Sequence, residues 1–252
     1  GVFHTYFHDS ADSTSLSDDN LTSIFEDAAG NLWATTRNGL NRVLQNERDP
    51  ESVTFQRFMF EPVADEISRR NRLFDMYERP DEPGVLWIGS LEGLLRFDTD
   101  SYEATYYQPD PGAEFNGVFS ITPDPQNRST LWVSAYGQGV ARFDLKTERF
   151  QVYESDPDNP NGLSSNSTLT MHTDRSGIVW VASSGVDRFN PASVGFEYVK
   201  TGSSETTLAG QVVWGIELGR DNTLWVVAQD DNTGERSLFE IDRVSGKTTR
   251  HR

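Results

Sequence analysis

Residues 16–42 read Leu16-Ser17-Asp18-Asp19-Asn20, a short β run Leu21 to Glu26, the turn Asp27-Ala28-Ala29-Gly30-Asn31, the triplet Leu32-Trp33-Ala34, and Gly39-Leu40-Asn41-Arg42. Two apolar runs joined by a turn in which Asp can bond backbone amides and Gly can supply a positive φ read as an antiparallel hairpin. The aliphatic-Trp triplet of its second strand is the key to the rest of the chain. It returns as Leu86-Trp87-Ile88, Leu131-Trp132-Val133, Val179-Trp180-Val181 and Leu224-Trp225-Val226.

Successive tryptophans of these triplets are 54, 45, 48 and 45 residues apart. That period is the roughly 40–50 residues of one four-stranded propeller blade. The flanks repeat too: Gly39-Leu40, Gly93-Leu94, Gly139-Val140 and Gly185-Val186 each precede an arginine, namely Arg42, Arg96, Arg142 and Arg188. The fifth unit departs, its turn lengthened to residues 230–236 ahead of Leu238-Phe239-Glu240-Ile241-Asp242.

A β run precedes each triplet, at Leu21 to Glu26, Leu73 to Tyr77, Val118 to Thr122, Leu169 to His172 and Val212 to Leu218. A fourth run closes each unit, at Phe55 to Phe60, Ala104 to Tyr107, Phe150 to Tyr153, Phe196 to Val199 and Thr248 to His251. The sequence therefore predicts an all-β propeller of five four-stranded antiparallel blades, strands a to d, over residues 20–60, 71–107, 116–153, 167–199 and 210–252. It is read as a single propeller domain over 1–252, or as an incomplete arc of a larger, seven-bladed ring. Phe3 to Phe7 is left over as a strand d from a preceding blade, either closing the ring beside the fifth unit or marking blades upstream.

Composition bounds the function. The 39 acidic and 22 basic residues give a formal charge of −17, which repels a phosphate backbone, and Arg69, Arg70 and Arg72 are too short a basic run to overcome it. Nucleic acid is not an expected partner. There is no cysteine, hence no thiolate site, and His4, His8, His172 and His251 fall in different places without a His-x-x-x-His or His-Glu pairing. No metal and no cofactor is expected. No apolar run approaches the ~18 residues that span a bilayer, so no membrane contact is expected of this chain itself. No Gly-x-Ser-x-Gly elbow occurs either.

The composite Leu-Ser-x-Asn, β run, Asp-x-x-Gly, aliphatic-Trp and Gly-Leu-x-Arg resembles the two-component regulator propeller repeat. The first unit fits best, together with the fourth, through Leu163-Ser164-Ser165-Asn166 to Asn190. Units two, three and five depart in the turn before Trp, carrying Arg79-Pro80-Asp81-Glu82-Pro83-Gly84, Asp124-Pro125-Gln126-Asn127-Arg128 and Gly219-Arg220-Asp221-Asn222. The resemblance implies a periplasmic or extracellular sensing part of a bacterial inner-membrane protein whose output is a histidine kinase or a diguanylate cyclase. It also implies a small-molecule or oligosaccharide ligand and a homodimer formed through the parent receptor. No catalytic residues are implied.

What every blade shares is needed to build blades, so the tryptophans read as core and the arginines as repeated structural pairs. Function is expected where the repeat breaks, on the face opened by the b-to-c and d-to-a connections. The candidate ligand-binding residues there are Arg37, Asn38, Arg69, Arg70, Arg72, Tyr136, Gln138 and Asp230, flanked by Leu91, Glu92, Ser183, Ser184, Glu114 to Asn116 and Glu205 to Gly210. Trp214, the sixth tryptophan, is a further candidate, as an aromatic stacking surface on strand a. Two other readings stay open. One is a five-bladed glycoside hydrolase or lyase using Asp75 and Glu217 as paired carboxylates; the other is a structural protein-interaction propeller, which an apolar patch on one face would favour.

Overall fold

The computed structural model describes residues 3–46, 49–61, 68–109, 116–156, 158–159, 162–193, 195–198, 208, 211–219, 223–230, 232–243 and 247–251. Among the described residues, twenty strands make five four-stranded antiparallel sheets, each wound in chain order, and no helix is present. These are the five blades of a β-propeller. The first blade is β1 (Leu21–Glu26), β2 (Leu32–Thr36), β3 (Gly39–Asn46) and β4 (Asp49–Phe58). The second is β5 (Leu73–Glu78), β6 (Val85–Ser90), β7 (Leu94–Asp98) and β8 (Ala104–Tyr107). The third is β9 (Val118–Pro123), β10 (Thr130–Ala135), β11 (Gly139–Asp144) and β12 (Arg149–Tyr153). The fourth is β13 (Thr170–Thr173), β14 (Val179–Ala182), β15 (Val186–Phe189) and β16 (Phe196–Tyr198), and the fifth β17 (Gln211–Leu218), β18 (Thr223–Asp230), β19 (Arg236–Asp242) and β20 (Thr248–His251).

The chain forms two compact units, one of residues 1–108 with 117–119, the other of 109–116 with 120–252. In the first, the core joins Trp33 and Leu40 to Leu73, Met76, Leu86, Ile88 and Phe97, with Phe58 packed 5.2 Å from the Phe97 ring. In the second, one core cluster gathers Trp132, Val140 and Leu163 with Met171, Val179, Val181, Phe189 and Phe196. Another gathers Trp180, Val186 and Leu208 with Val213, Ile216, Val226 and Phe239. Each is the apolar face of one sheet laid on its neighbour, the source of most of a propeller's stability.

Four of the five repeat tryptophans are buried, as the sequence suggests, whereas Trp225 of the fifth blade is only half-buried. The arginines behind them lie along the blades. Arg42 donates to Asn31 and stacks 5.8 Å from the Trp33 ring, Arg96 pairs with Glu82 at 2.8 Å, and Arg188 stacks 5.7 Å from Trp180.

The amino-terminal segment corrects one expectation: Phe3 to Phe7 is not a strand. Phe3 and Phe7 are exposed, and Tyr6 packs edge-on to Phe55 of β4 at 5.8 Å. The segment behind it is bound to the first blade's own outer strand, through Phe55 N–H to the Thr14 carbonyl at 2.7 Å and the Arg57 guanidinium to the carbonyls of Asp12 and Ser15. Nor is the outer position of the fifth blade vacant, since β20 pairs with β19 from Leu238↔His251 to Ile241↔Thr248. A five-residue run rich in aromatic residues is compatible with a strand, but a strand forms only where a free edge meets it.

Candidate functional site

Within each unit, backbone hydrogen bonds tie b-to-c turns to d-to-a connections. In the first unit, Gly39 N–H donates to the Asn71 carbonyl at 2.7 Å and Leu91 N–H to the Arg72 carbonyl at 3.0 Å. In the second, Gly137 and Gly139 both donate to the Asn166 carbonyl, and Val213 N–H reaches the Ser183 carbonyl at 3.4 Å. Gly139 has φ +85°, which only glycine adopts without strain. A Cβ there would also stand 2.4 Å from the Tyr153 carbonyl.

Two asparagines tie these connections, and the sequence does not flag the first of them, Asn71. Asn71, fully buried, accepts from Phe60 N–H at 2.8 Å and donates to the Glu61 carbonyl at 3.1 Å; Asn166 accepts from Ser155 N–H at 2.6 Å. Each turns its side chain back on the outgoing strand d. The Leu-Ser-x-Asn pattern contained Asn166 and in that sense pointed to it.

The candidate residues fall into three kinds. Arg69 and Arg70 are engaged in an ion-pair network: Arg69 donates to the Leu91 carbonyl at 2.6 Å and faces Glu92 at 3.7 Å. Arg70 lies 3.3 Å from Glu61, 3.7 Å from Glu92 and 5.2 Å from the Tyr106 ring. Burial pushes the Tyr106 phenol far above its ordinary pKa, with Arg70 acting against it, and its hydroxyl donates to the Arg70 carbonyl at 2.9 Å. Asp230 builds its own turn, accepting from Asn232 and Thr233 N–H at 2.9 and 2.8 Å, and those bonds hold its carboxyl below the ordinary range.

In the second kind, Asn38, Arg72 and Gln138 each carry a buried side-chain atom without a hydrogen bond. Arg37 is exposed beside Asn38, whose Oδ1 is buried and unbonded. Arg72 is half-buried with Nε unbonded. Gln138 is 8% exposed with Oε1 unbonded, next to half-buried Tyr136. Gln211, which the sequence reading passed over, donates to Asp230 at 3.2 Å while its own Oε1 is unbonded. Buried polar atoms of this sort are uncommon and call for a ligand or a water.

Trp214 is the third kind. In β17 the register runs Val213↔Ala228 and then Gly215↔Val227, so Trp214 is the extra residue of a β-bulge, and it is 53% exposed. A bulge re-aims one side chain out of the sheet's alternation. The same irregularity falls at Thr22 in β1, between Leu21↔Thr36 and Ser23↔Thr35, and at residues 74–75 in β5. There Phe74 stacks on Phe119 at 4.0 Å, with 17° between the rings.

Asp75 accepts from the N–H of Met76 at 2.9 Å and belongs to the first unit, whereas Glu217 is an exposed residue of the second. Among the described residues no group of three His, Cys, Asp or Glu is arranged to hold a metal ion. Glu114, Phe115, Glu205 to Thr207, Ala209, Gly210 and Asp231 lie outside the described residues.

On the opposite side of the first blade, Asp27 accepts from Ala29 and Asn31 N–H, closing the turn between β1 and β2, and the following β2 and β3 carry Trp33 and Arg42. This stretch matches the family model of the two component regulator propeller over residues 15–38. Residues 15–38 are thus similar to one two-component regulator propeller repeat. The repeat sits in a chain that is 29% identical over 181 residues to histidine kinase P4 of Formosa agariphila, covering 71% of this chain and 12% of that protein. Its fold is that of the extracellular domains of two hybrid two component systems from B. thetaiotaomicron. One is 21% identical with a TM-score of 0.70, covering 93% of this chain and 30% of the other. The second is 20% identical with a TM-score of 0.71, covering 98% and 32%. The chain thus spans about a third of the solved chains and about an eighth of the curated relative.

Proposed function

We propose that the chain is a non-catalytic ligand-sensing propeller module of a bacterial membrane-bound signalling receptor, working on the periplasmic or extracellular side. The ligand is a carbohydrate or another small solute, bound on the face of the b-to-c turns and d-to-a connections. The observation that carries the proposal is the propeller repeat within a fold shared, over almost the whole chain, with extracellular domains of hybrid two component systems. Within the second unit, the unbonded polar atoms of Gln138 and Gln211 support the choice of face, and exposed Trp214 supplies a flat apolar surface on which a ring can stack.

The output, a histidine kinase or a diguanylate cyclase, lies in other parts of the parent receptor, and ligand acts by favouring one state of a receptor dimer. Such a ligand must bind the two states with different affinity. A glycan array followed by calorimetry on the chain tests this. Saturable binding weakened by Gln138→Ala or Trp214→Ala is the expected result. Absence of any ligand, together with turnover of a polysaccharide that disappears in Asp75→Asn or Glu217→Gln, overturns it in favour of a hydrolase or lyase.

A further inference from the structure

Asp187 on β15 is fully buried opposite Val181 of β14, at the register position that Asn41 occupies opposite Ala34 in the first blade. The two sites share their other parts. Asn41 accepts from Ser17 N–H at 2.9 Å through Oδ1, and its Nδ2 donates to Ser17 Oγ at 2.8 Å and to the Ala34 carbonyl at 3.2 Å. Ser17 Oγ in turn lies 2.9 Å from Thr36 Oγ1. In the fourth blade, Asp187 Oδ2 accepts from Ser164 Oγ at 2.6 Å and Ser183 Oγ at 2.9 Å, these hydroxyls being 3.1 Å apart. Oδ1 has no hydrogen-bond partner. Judged by the serine it touches, Oδ2 stands where Nδ2 of Asn41 stands.

That place asks for a donor, because the amide there donates to the carbonyl of the facing residue. A carboxylate has none, and would set lone pairs against the Val181 carbonyl while holding a charge away from water. A carboxylic acid supplies the missing donor. We propose that Asp187 is a neutral acid in the folded protein, its Oδ2 proton directed at the Val181 carbonyl, and that its ionisation loosens the Ser164–Ser183 latch of the fourth blade's turn.

The surroundings favour the neutral form. Asp187 shares its sheet face with Met171 and Val181, which pack with Trp132 and Val140 and with half-buried Tyr153. Tyr153 is one titratable group there, its phenol raised by burial with Arg142 acting against the rise, and Tyr198 of β16 is the register partner of Asp187. Arg188, the next residue on β15, lies against Trp180 on the opposite face. Burial raises the Asp187 carboxyl, opposed by the hydrogen bonds of Ser164 and Ser183. Ser183 belongs to the b-to-c turn, and its carbonyl receives Val213 N–H of the fifth blade, so loosening this latch acts on the turn face itself.

The test is a ¹³C-carboxyl NMR titration of Asp187 in the full chain, with thermal unfolding of wild type and Asp187→Asn across pH. A titration midpoint above the ordinary aspartate value of about 3.9, accompanied by shifts of the Ser164 and Ser183 amides at the same midpoint, is expected. The folded state then holds a proton that the unfolded state has lost, so wild-type Tm falls as pH rises from the unfolded value through that midpoint. In Asp187→Asn this part of the fall disappears. A carboxyl that is ionised down to its ordinary midpoint or below overturns the proposal, and so does a variant whose Tm is lowered equally at every pH. Should the variant fail to fold, the wild-type titration decides alone.

Discussion

The indole Nε1–H of Trp33 donates to Oδ2 of Asp27 at 2.7 Å, joining the a-to-b turn of the first blade to the middle of its second strand. The same bond recurs from Trp132 to Asp124 at 3.0 Å and from Trp180 to Asp174 at 2.9 Å. The turn aspartate therefore satisfies both its own loop amides and the one polar atom that a buried tryptophan brings into the core. Arg243 of the fifth blade adds a salt bridge to Asp174 and lies 5.2 Å from the Trp180 ring.

Replacing Asp27 by Ala leaves the buried Trp33 indole without an acceptor. The expected loss is about 1–3 kcal/mol of stability, read by urea denaturation followed by tryptophan fluorescence. Glu26→Ala, at an exposed neighbour, should be close to neutral. Equal midpoints for the two variants would show that the indole bond contributes nothing.

Acid should weaken the same turns. At Asp27 and Asp174 burial works to raise the carboxyl, but the hydrogen bonds outweigh it, from Trp33, Asn31 and Ala29 in one case and from Ser176, Trp180 and Ile178 in the other; both groups are held below the ordinary range. A carboxyl depressed in the folded state stabilises above its unfolded pKa, and that contribution is lost as pH falls through the folded value. Thermal unfolding below about pH 4 should show a Tm that falls more steeply in wild type than in Asp27→Asn.

Gly139→Ala combines a positive φ with a Cβ placed 2.4 Å from a carbonyl oxygen. Backbone of this kind costs on the order of 1–3 kcal/mol, and the neighbouring strand must also move. Gly30→Ala, with φ +81° but nothing within 4 Å of the added carbon, should cost less. Matched denaturation curves of the two variants check the order.

Among the described residues, two blade faces carry exposed apolar side chains. Ile24 of β1 is 63% exposed, whereas its register counterparts Met76, Met171 and Ile216 are buried. On β19, Leu238 is 37% exposed beside Val227 at 42%, whereas Leu40, Leu94, Val140 and Val186 at that position are buried. Exposed apolar sheet faces promote association, so light scattering should find self-association of the isolated chain that grows with concentration. Ile24→Glu or Leu238→Glu should reduce it without lowering Tm. A wild-type chain that is monomeric at high concentration would refute this expectation.

The blade architecture was legible because its causes are local and repeated. Five aliphatic-Trp triplets, the Gly-aliphatic-x-Arg runs and the Asp/Gly turns each specify a strand or a reversal within a few residues, and a period near 45 sets them in register. Even so, the sequence could not show that the turn aspartates bond the tryptophans, because six or eight residues of separation are closed only by the hairpin. Asp230 had the same residue type and served its own loop instead.

The sequence by itself determined the strand order, the five repeats and four of the five repeat tryptophans as core, since strand propensity, turn chemistry and alternation act through near neighbours. Only the tertiary structure decided that Phe3 to Phe7 is no strand, that Trp214 leaves the sheet at a bulge, that Arg69 and Arg70 are occupied by Glu61 and Glu92, and that Asp187 stands in an amide's place. These outcomes depend on which sheet or loop lies against a given face. The free energy of a buried charge, an unpaired polar atom or an open strand edge is set by neighbours distant in the chain, so composition and spacing do not encode it position by position.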